Sequence, residues 1–156
     1  MKSFTAISAV FAAASMASAQ TPSVHVLRLS PLSVKTLTES ATARIDFGVE
    51  DLIDGSSTTC STAWNIGALD ATTWFQCEDT SFTFNFPTGM PDVEDFTFLI
   101  GHSAPTPVGS VITQAILNSH AGTPIYVCHS PGATAGTATQ CDVNENSGVI
   151  AAPVNQ

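Results

Sequence analysis

Four cysteines, four histidines and thirteen carboxylates are the side chains from which this chain could build chemistry. Cys60, Cys77, Cys128 and Cys141 form an even set, which in an exported chain reads as disulfides. Three pairings are open. Joining sequence neighbours would close loops of sixteen and twelve intervening residues, each worth ~3 kcal/mol by chain entropy. Zinc would need close Cys-x₂₋₄-Cys or histidine spacing, and neither occurs. His25, His102, His120 and His129 never stand two or four residues apart, so copper or zinc ligation has no local support. Gly101-His102-Ser103 resembles part of a nucleophile elbow, but the full G-x-S-x-G is absent and no strand-turn-helix context surrounds it. Paired carboxylates could hydrolyse a glycosidic bond, yet sequence cannot show which pair would meet across a cleft. No catalytic residue, metal ligand or cofactor is assigned.

Three large amphipathic rings remain. Trp64, Trp74 and Tyr126 could stack on sugar rings or flavonoid-like planes. Trp74-Phe75, just before Cys77, reads as packing. Trp64 lies between Cys60 and Cys77 among Ser, Thr, Asn and Gly, and is the contact candidate.

The elements that must position these groups are strands. Ile45, Phe47 and Val49 alternate with Arg44, Asp46 and Gly48. Phe82, Phe84 and Phe86 alternate with Ser81, Thr83 and Asn85 before Pro87 stops the run, a half-buried strand with its phenylalanines in the core. Further strands are read over 23–29, 58–62, 73–77, 96–100, 123–128, 139–143 and 148–154, separated by Gly, Pro, Asn, Asp and Ser. Residues 111–117 are ambiguous, because Val111, Ile112, Ala115 and Ile116 also fit a helical face that Gly109-Ser110 would cap. The expected fold is all-β: a compact antiparallel β-barrel or β-sandwich with at most one short helix.

Residues 1–19 read as a signal peptide, with Lys2, an apolar run from Phe4 to Ala14, and the A-x-A site Ala17-Ser18-Ala19. Residues 20–156 then form a single secreted domain beginning at Gln20. The 44% hydrophobic content is enough for a core. After cleavage Arg28, Lys35 and Arg44 are the only Lys or Arg residues, against thirteen acids. Cations so few and scattered argue against nucleic acid and against an anionic membrane surface. The acids read as solvated loops.

Cys60, then Trp74-Phe75-Gln76-Cys77, then Ser81-Phe82-Thr83-Phe84-Asn85-Phe86 resembles the family of the major allergen of the fungus Alternaria, small secreted fungal proteins of which several are effectors or elicitors in plants. Cys128-His129-Ser130-Pro131-Gly132 to Cys141, followed by Gly148-Val149-Ile150, is similar to the end of that family's domain. The resemblance spans about 23–154. It implies a compact β-barrel or sandwich, disulfides Cys60–Cys77 and Cys128–Cys141, no catalytic residues, and extracellular work at a host surface. The implied partner is a plant extracellular protein or a small phenolic ligand. The family's founding member joins two subunits through a further cysteine near its mature start. Residues 20–57 here hold none, so no covalent dimer is expected, and no binding residue is carried over.

The function expected is therefore binding of host components, in the manner of an effector, elicitor or allergen and without catalysis. A carbohydrate-binding or cell-wall module is the alternative, and a carboxylate-dependent secreted hydrolase a more distant one.

Overall fold

A computed structural model describes residues 26–103, 110–121, 125–143 and 146–154. The export segment 1–19, the start at Gln20 and His25 lie outside them. Ten strands follow one another along the chain: β1 (Leu27–Leu37), β2 (Thr42–Asp51), β3 (Ser57–Asn65), β4 (Trp74–Gln76), β5 (Phe82–Asn85), β6 (Asp95–Ser103), β7 (Ser110–Asn118), β8 (Tyr126–His129), β9 (Thr137–Val143) and β10 (Val149–Pro153). All pair antiparallel, in the order β3-β2-β1-β10-β7-β6-β5-β4, with β9 and then β8 branching from β1. The sheet curls into a nearly closed barrel, the all-β fold expected.

Period two drives the curl. On β2, Ile45, Phe47 and Val49 point inward, and on β6 Phe96, Phe98 and Ile100 do the same. Phe82, Phe84 and Phe86 are fully buried. Phe84 meets Phe47 edge-on at 5.1 Å and Phe75 at 5.3 Å, and Phe86 meets Phe98 at 6.0 Å. Such edge and tilted contacts add about 0.5–1.5 kcal/mol per pair beyond area burial.

β3 and β4 end the main path, and they are latched together. Cys60 on β3 bonds Cys77, the residue after β4. Beside it the Glu78 amide donates to the Thr59 carbonyl at 2.9 Å. The second disulfide joins Cys128 of β8 to Cys141 of β9, which face each other in register. Both are the pairings that the family resemblance implied.

Two elements differ from the sequence reading. Residues 110–118 form a strand, and no helix occurs among the described residues. Thr113, Ala115 and Leu117 face the core while Ile116 faces out, so apolar side chains occupy both faces and imitate a helical stripe. A nine-residue ladder with β6 settles the conformation. β1 also runs through Pro31 to Leu37, because a register shift between Leu29 and Leu32 places Pro31 outside the ladder with β2. Gly48 lies beneath that irregularity. A Cβ there would stand 2.6 Å from the Ser30 carbonyl oxygen, so only glycine lets β1 approach.

Replacing Cys60 and Cys77 with serine should cost ~3 kcal/mol by the loop-entropy argument, and Phe84→Ala about 3–5 kcal/mol by transfer and cavity terms. Urea unfolding followed by circular dichroism checks both.

Candidate functional site

The β2–β3 turn gathers the polar groups nearest to a chemical constellation. Asp51 ends β2, and His102 lies one residue from the end of β6. Their side chains are 0% and 2% exposed, and Asp51 Oδ2 stands 2.8 Å from His102 Nδ1. A carboxylate only accepts, so this contact places a proton on Nδ1. The second oxygen, Oδ1, takes the Ile53 amide at 2.8 Å. Phe82 stacks on the imidazole at 3.9 Å, the planes 4° apart, which fixes the ring.

On the other side of the imidazole, Nε2 faces Ser56 Oγ at 3.4 Å. The order Asp51–His102–Ser56 follows the logic of a hydrolytic triad, but the serine is already engaged. Its hydroxyl donates to Asp54 Oδ1 at 2.5 Å, and its amide donates to the same oxygen at 2.8 Å. The single hydroxyl proton goes to the nearer and charged acceptor, so His102 is not poised to draw it off. The site does bring together one ligand atom each from Asp51, Asp54 and His102, all within 4.8 Å of one another, a set able to hold a metal ion. Sequence reasoning missed it because 51 residues separate the buried pair. Gly101-His102-Ser103, singled out for its serine, matters through its histidine.

The turn geometry of Asp54 recurs. Asp70 Oδ1 accepts from the Thr72 amide and hydroxyl, both at 2.8 Å. Asp79 Oδ1 accepts from the Ser81 amide at 2.9 Å. Each is an Asp-x-Ser/Thr turn in which the side chain mimics a backbone acceptor. Hydrogen bonds from the Ser56 hydroxyl and then its amide hold the Asp54 carboxyl below the usual range. The Thr72 amide and hydroxyl do the same for Asp70, and the Ser81 amide and hydroxyl for Asp79. These three acids are thus solvated turn-formers, as read, whereas Asp51, read in the same way, is fully buried, and Asp46, Glu50, Asp95 and Asp142 lie on strands.

On the outer face of the same hairpin runs a polar groove of about 730 Å³, lined by Arg28, Glu50, Ser57, Glu78 and Asp79 among others. Neither Asp51 nor His102 lines it. Three acids share it, enough for the pair a glycosidase would need, but Glu50 is held by Arg28 at 2.5 Å. The Asp79 carboxyl is pulled down, opposite to the raised pKa a general acid requires. The cations are also less scattered than the sequence implied. Lys35 and Arg44 are cross-strand partners, and Arg28 pairs with Glu50 in the same ladder. β-strand alternation puts all three on one outward face, where Arg28 and Arg44 are ion-paired to Glu50 and Asp46.

Trp64 does not serve as an exposed contact. It is 8% exposed, because β3 extends to Asn65 and turns the indole inward against Phe86 at 5.5 Å. Its N–H has no hydrogen-bond partner among the described residues. Trp74, read as packing, is instead 42% exposed, and Phe75 takes the core position. Tyr126 is buried and donates to the Val93 carbonyl at 2.5 Å. Burial and the nearby Asp142, Asp92 and Glu94 push its phenol well above its ordinary range. Of the other histidines, His120 meets Glu94 at 3.1 Å on the surface.

An apolar recess lies elsewhere. β1 pairs β10 through Leu27–Leu29 and β9 through Leu32–Leu37, so the sheet forks. Between the branches lies a cleft of about 390 Å³ lined by Ile116, Leu117, Ala121, Ile125, Tyr126, Val149 and Ile150, with Asn118 and Gly148. Ile116 and Ile150 are 66% and 55% exposed.

No family model and no curated protein matches the chain. Among solved structures the chain is similar to the crystal structure of the Alternaria alternata allergen Alt a 1, at 14% identity and a TM-score of 0.49, over 83% of this chain and 87% of that one.

His102→Leu should cost about 3–5 kcal/mol, since it takes from the buried Asp51 carboxylate its imidazole partner, while the Ile53 amide stays on Oδ1. Adding Asp51→Leu should recover part of it, the remainder being the Ile53 amide left without its acceptor, as urea midpoints of the single and double variants will show. A second expectation concerns pH. The carboxyls of Asp54, Asp70 and Asp79 titrate lower in the folded chain than their ordinary 3.8. Their contribution is therefore present above that value and lost as pH falls through the folded values. The thermal midpoint should fall below about pH 4, and less steeply in a variant with asparagine at all three positions, which keeps the turns but takes up no proton.

Proposed function

We propose that the protein is a secreted, non-catalytic binder of host extracellular components, of the effector, elicitor or allergen type, and that its principal partner is a host extracellular protein. The observation that carries this reading is the cleft at the sheet fork. Exposed apolar side chains gathered around a concavity mark contact surfaces, and Ile116, Ile125 and Ile150 converge on one. A partner's apolar anchor would fill the cleft, with the isoleucines of its rim excluding water around it. The scaffold beneath is stiff, with a Phe-filled interior and two disulfides. An interior so filled leaves chemistry to the surface, where the hydroxyl of Ser56 and the carboxyl of Asp79 are engaged in turns.

The test pairs the native protein with an Ile116→Asp/Ile150→Asp variant; both sites are exposed, so the fold should hold. Plant apoplastic fluid is passed over each, a retained protein is identified and purified, and its affinity is measured by calorimetry. The reading stands if the purified partner binds the native chain at least tenfold more tightly than the variant. It falls if affinities are equal or if no partner survives purification. Titration with a flavonol, read by tryptophan fluorescence, covers the phenolic arm. Saturable flavonol binding lost in the variant, without a protein partner, would replace the protein reading.

A further inference from the structure

We propose that the occupant of the cleft at the sheet fork is an extended, basic peptide segment that adds to the barrel as a further strand. The inference rests on the reading of that cleft as the contact surface, and it names the form and charge of what enters. The ladder between β7 and β10 pairs Thr113 with Pro153 and Gln114 with Ala152, and stops there. Both strands continue beyond it. Among the described residues, β7 runs on to Asn118 beside β6 alone, and β10 reaches back to Val149 beside β1 alone. Continued pairing would set Ile116 opposite Ile150. The strands part instead, and both residues line the cleft.

Main-chain direction decides what the parted edges offer. In an antiparallel pair, every second residue turns its N–H and C=O toward the same neighbour. The Val154 amide donates to the Ile112 carbonyl at 3.0 Å. Ile112, Gln114 and Ile116 therefore direct these groups away from β6, and Val154, Ala152 and Ile150 direct theirs away from β1. Ile116 and Ile150 thus carry peptide donors and acceptors into the cleft, where no strand pairs with them among the described residues. β8 adds a third edge. It pairs with β9 and with no other strand among the described residues, and its first residue, Tyr126, lines the cleft. A small apolar molecule would leave these edges unpaired. An extended backbone pairs with them and lays alternate side chains against the isoleucines.

The surroundings set the charge of the occupant. Asp142, Asp92 and Glu94 all lie close enough to the Tyr126 phenol to act on it, and Asp95 stands opposite Asn118 across the β6–β7 ladder. The cations nearby are already engaged. Arg28, whose Cγ would stand 3.1 Å from a Cβ at Gly148, is ion-paired to Glu50, and His120 meets Glu94. An acidic surround with its own cations taken favours Lys and Arg on the incoming segment.

The probe is a phage-displayed library of random linear octapeptides, selected on the intact protein and counter-selected on Ile116→Asp/Ile150→Asp. The leading peptide is then synthesised plain and with N-methyl groups on alternate residues in either register, which blocks strand pairing and keeps every side chain. Enriched peptides should alternate apolar residues with Lys or Arg, and at least one N-methylated register should bind tenfold more weakly by calorimetry. In amide hydrogen exchange followed by NMR, Ile116 and Ile150 should exchange quickly in the free protein and slowly with peptide bound. Ala115 and Leu117, turned toward β6, should be protected throughout. The proposal is overturned if no peptide is enriched, if the enriched peptides are acidic, or if neither N-methylated form is weakened. It is overturned equally if the Ile116 and Ile150 amides are protected in the free protein, or if sedimentation shows a dimer that Ile116→Asp/Ile150→Asp dissolves. A host protein bound by the native chain and lost in that variant, alongside any of these results, leaves the contact reading standing without this one. Equal binding of the host protein by both chains overturns the contact reading itself.

Discussion

The bond between Cys60 and Cys77 is the constraint on which the rest of the structure depends. The main path of the sheet has two ends, apart from the β8 end of its side branch, and an open end offers unpaired N–H and C=O groups to other chains. Here the ends are β3 and the three-residue β4, and the disulfide ties one to the other. Glu78 N–H to Thr59 C=O and Asp79 N–H to Thr58 Oγ1 continue the seam by hydrogen bonds. With the seam drawn in, the inward faces of β2, β5 and β6 meet, and Phe47, Phe84 and Phe98 come into contact across the interior. The barrel so latched closes over packed phenylalanine rings.

How much of this was legible in the sequence follows from the range of each interaction. Phe82, Phe84 and Phe86 declared a buried strand because alternation is local, and the structure buries all three. The Asp-x-Ser/Thr turns at 54, 70 and 79 are equally local, since each acid bonds a residue two positions on. The acids had been read only as solvated loops, yet the spacing of their Ser or Thr partners was there to be seen. The disulfide pairing was not readable from spacing alone, and came from the family resemblance.

What stayed illegible was set by partners distant in sequence. The residues of the Asp51–His102 pair lie on separate strands, and although His102 continues the inward alternation of Phe96, Phe98 and Ile100, the strand read over 96–100 stopped short of it. Trp64 was misread because composition placed it in a loop, whereas nine cross-strand partners hold β3 against β2 through Asn65. Arg28, Lys35 and Arg44 looked scattered along the chain, and only the β1–β2 register puts them on one face. Strand 110–118 failed for a different reason. With apolar residues on both faces it has no period to read, and its pairing with β6 decides between helix and strand.

The apolar cleft shows how one irregularity propagates. Because Pro31 lacks an N–H and stands outside the β1–β2 ladder, β1 cannot continue as one uniform strand. Its first part is bordered by β10 and its second by β9, and two branches leave the same strand. β7 follows the first branch and β8 follows the second. Ile116 and Ile150 stand on one branch and Ile125 beside β8 on the other, so their meeting around one hollow results from topology. Gly48 bears on the same irregularity, since its missing side chain lets the Ser30 carbonyl settle over β2. The same sheet that packs phenylalanine rings into its interior thus makes an apolar recess on its outside.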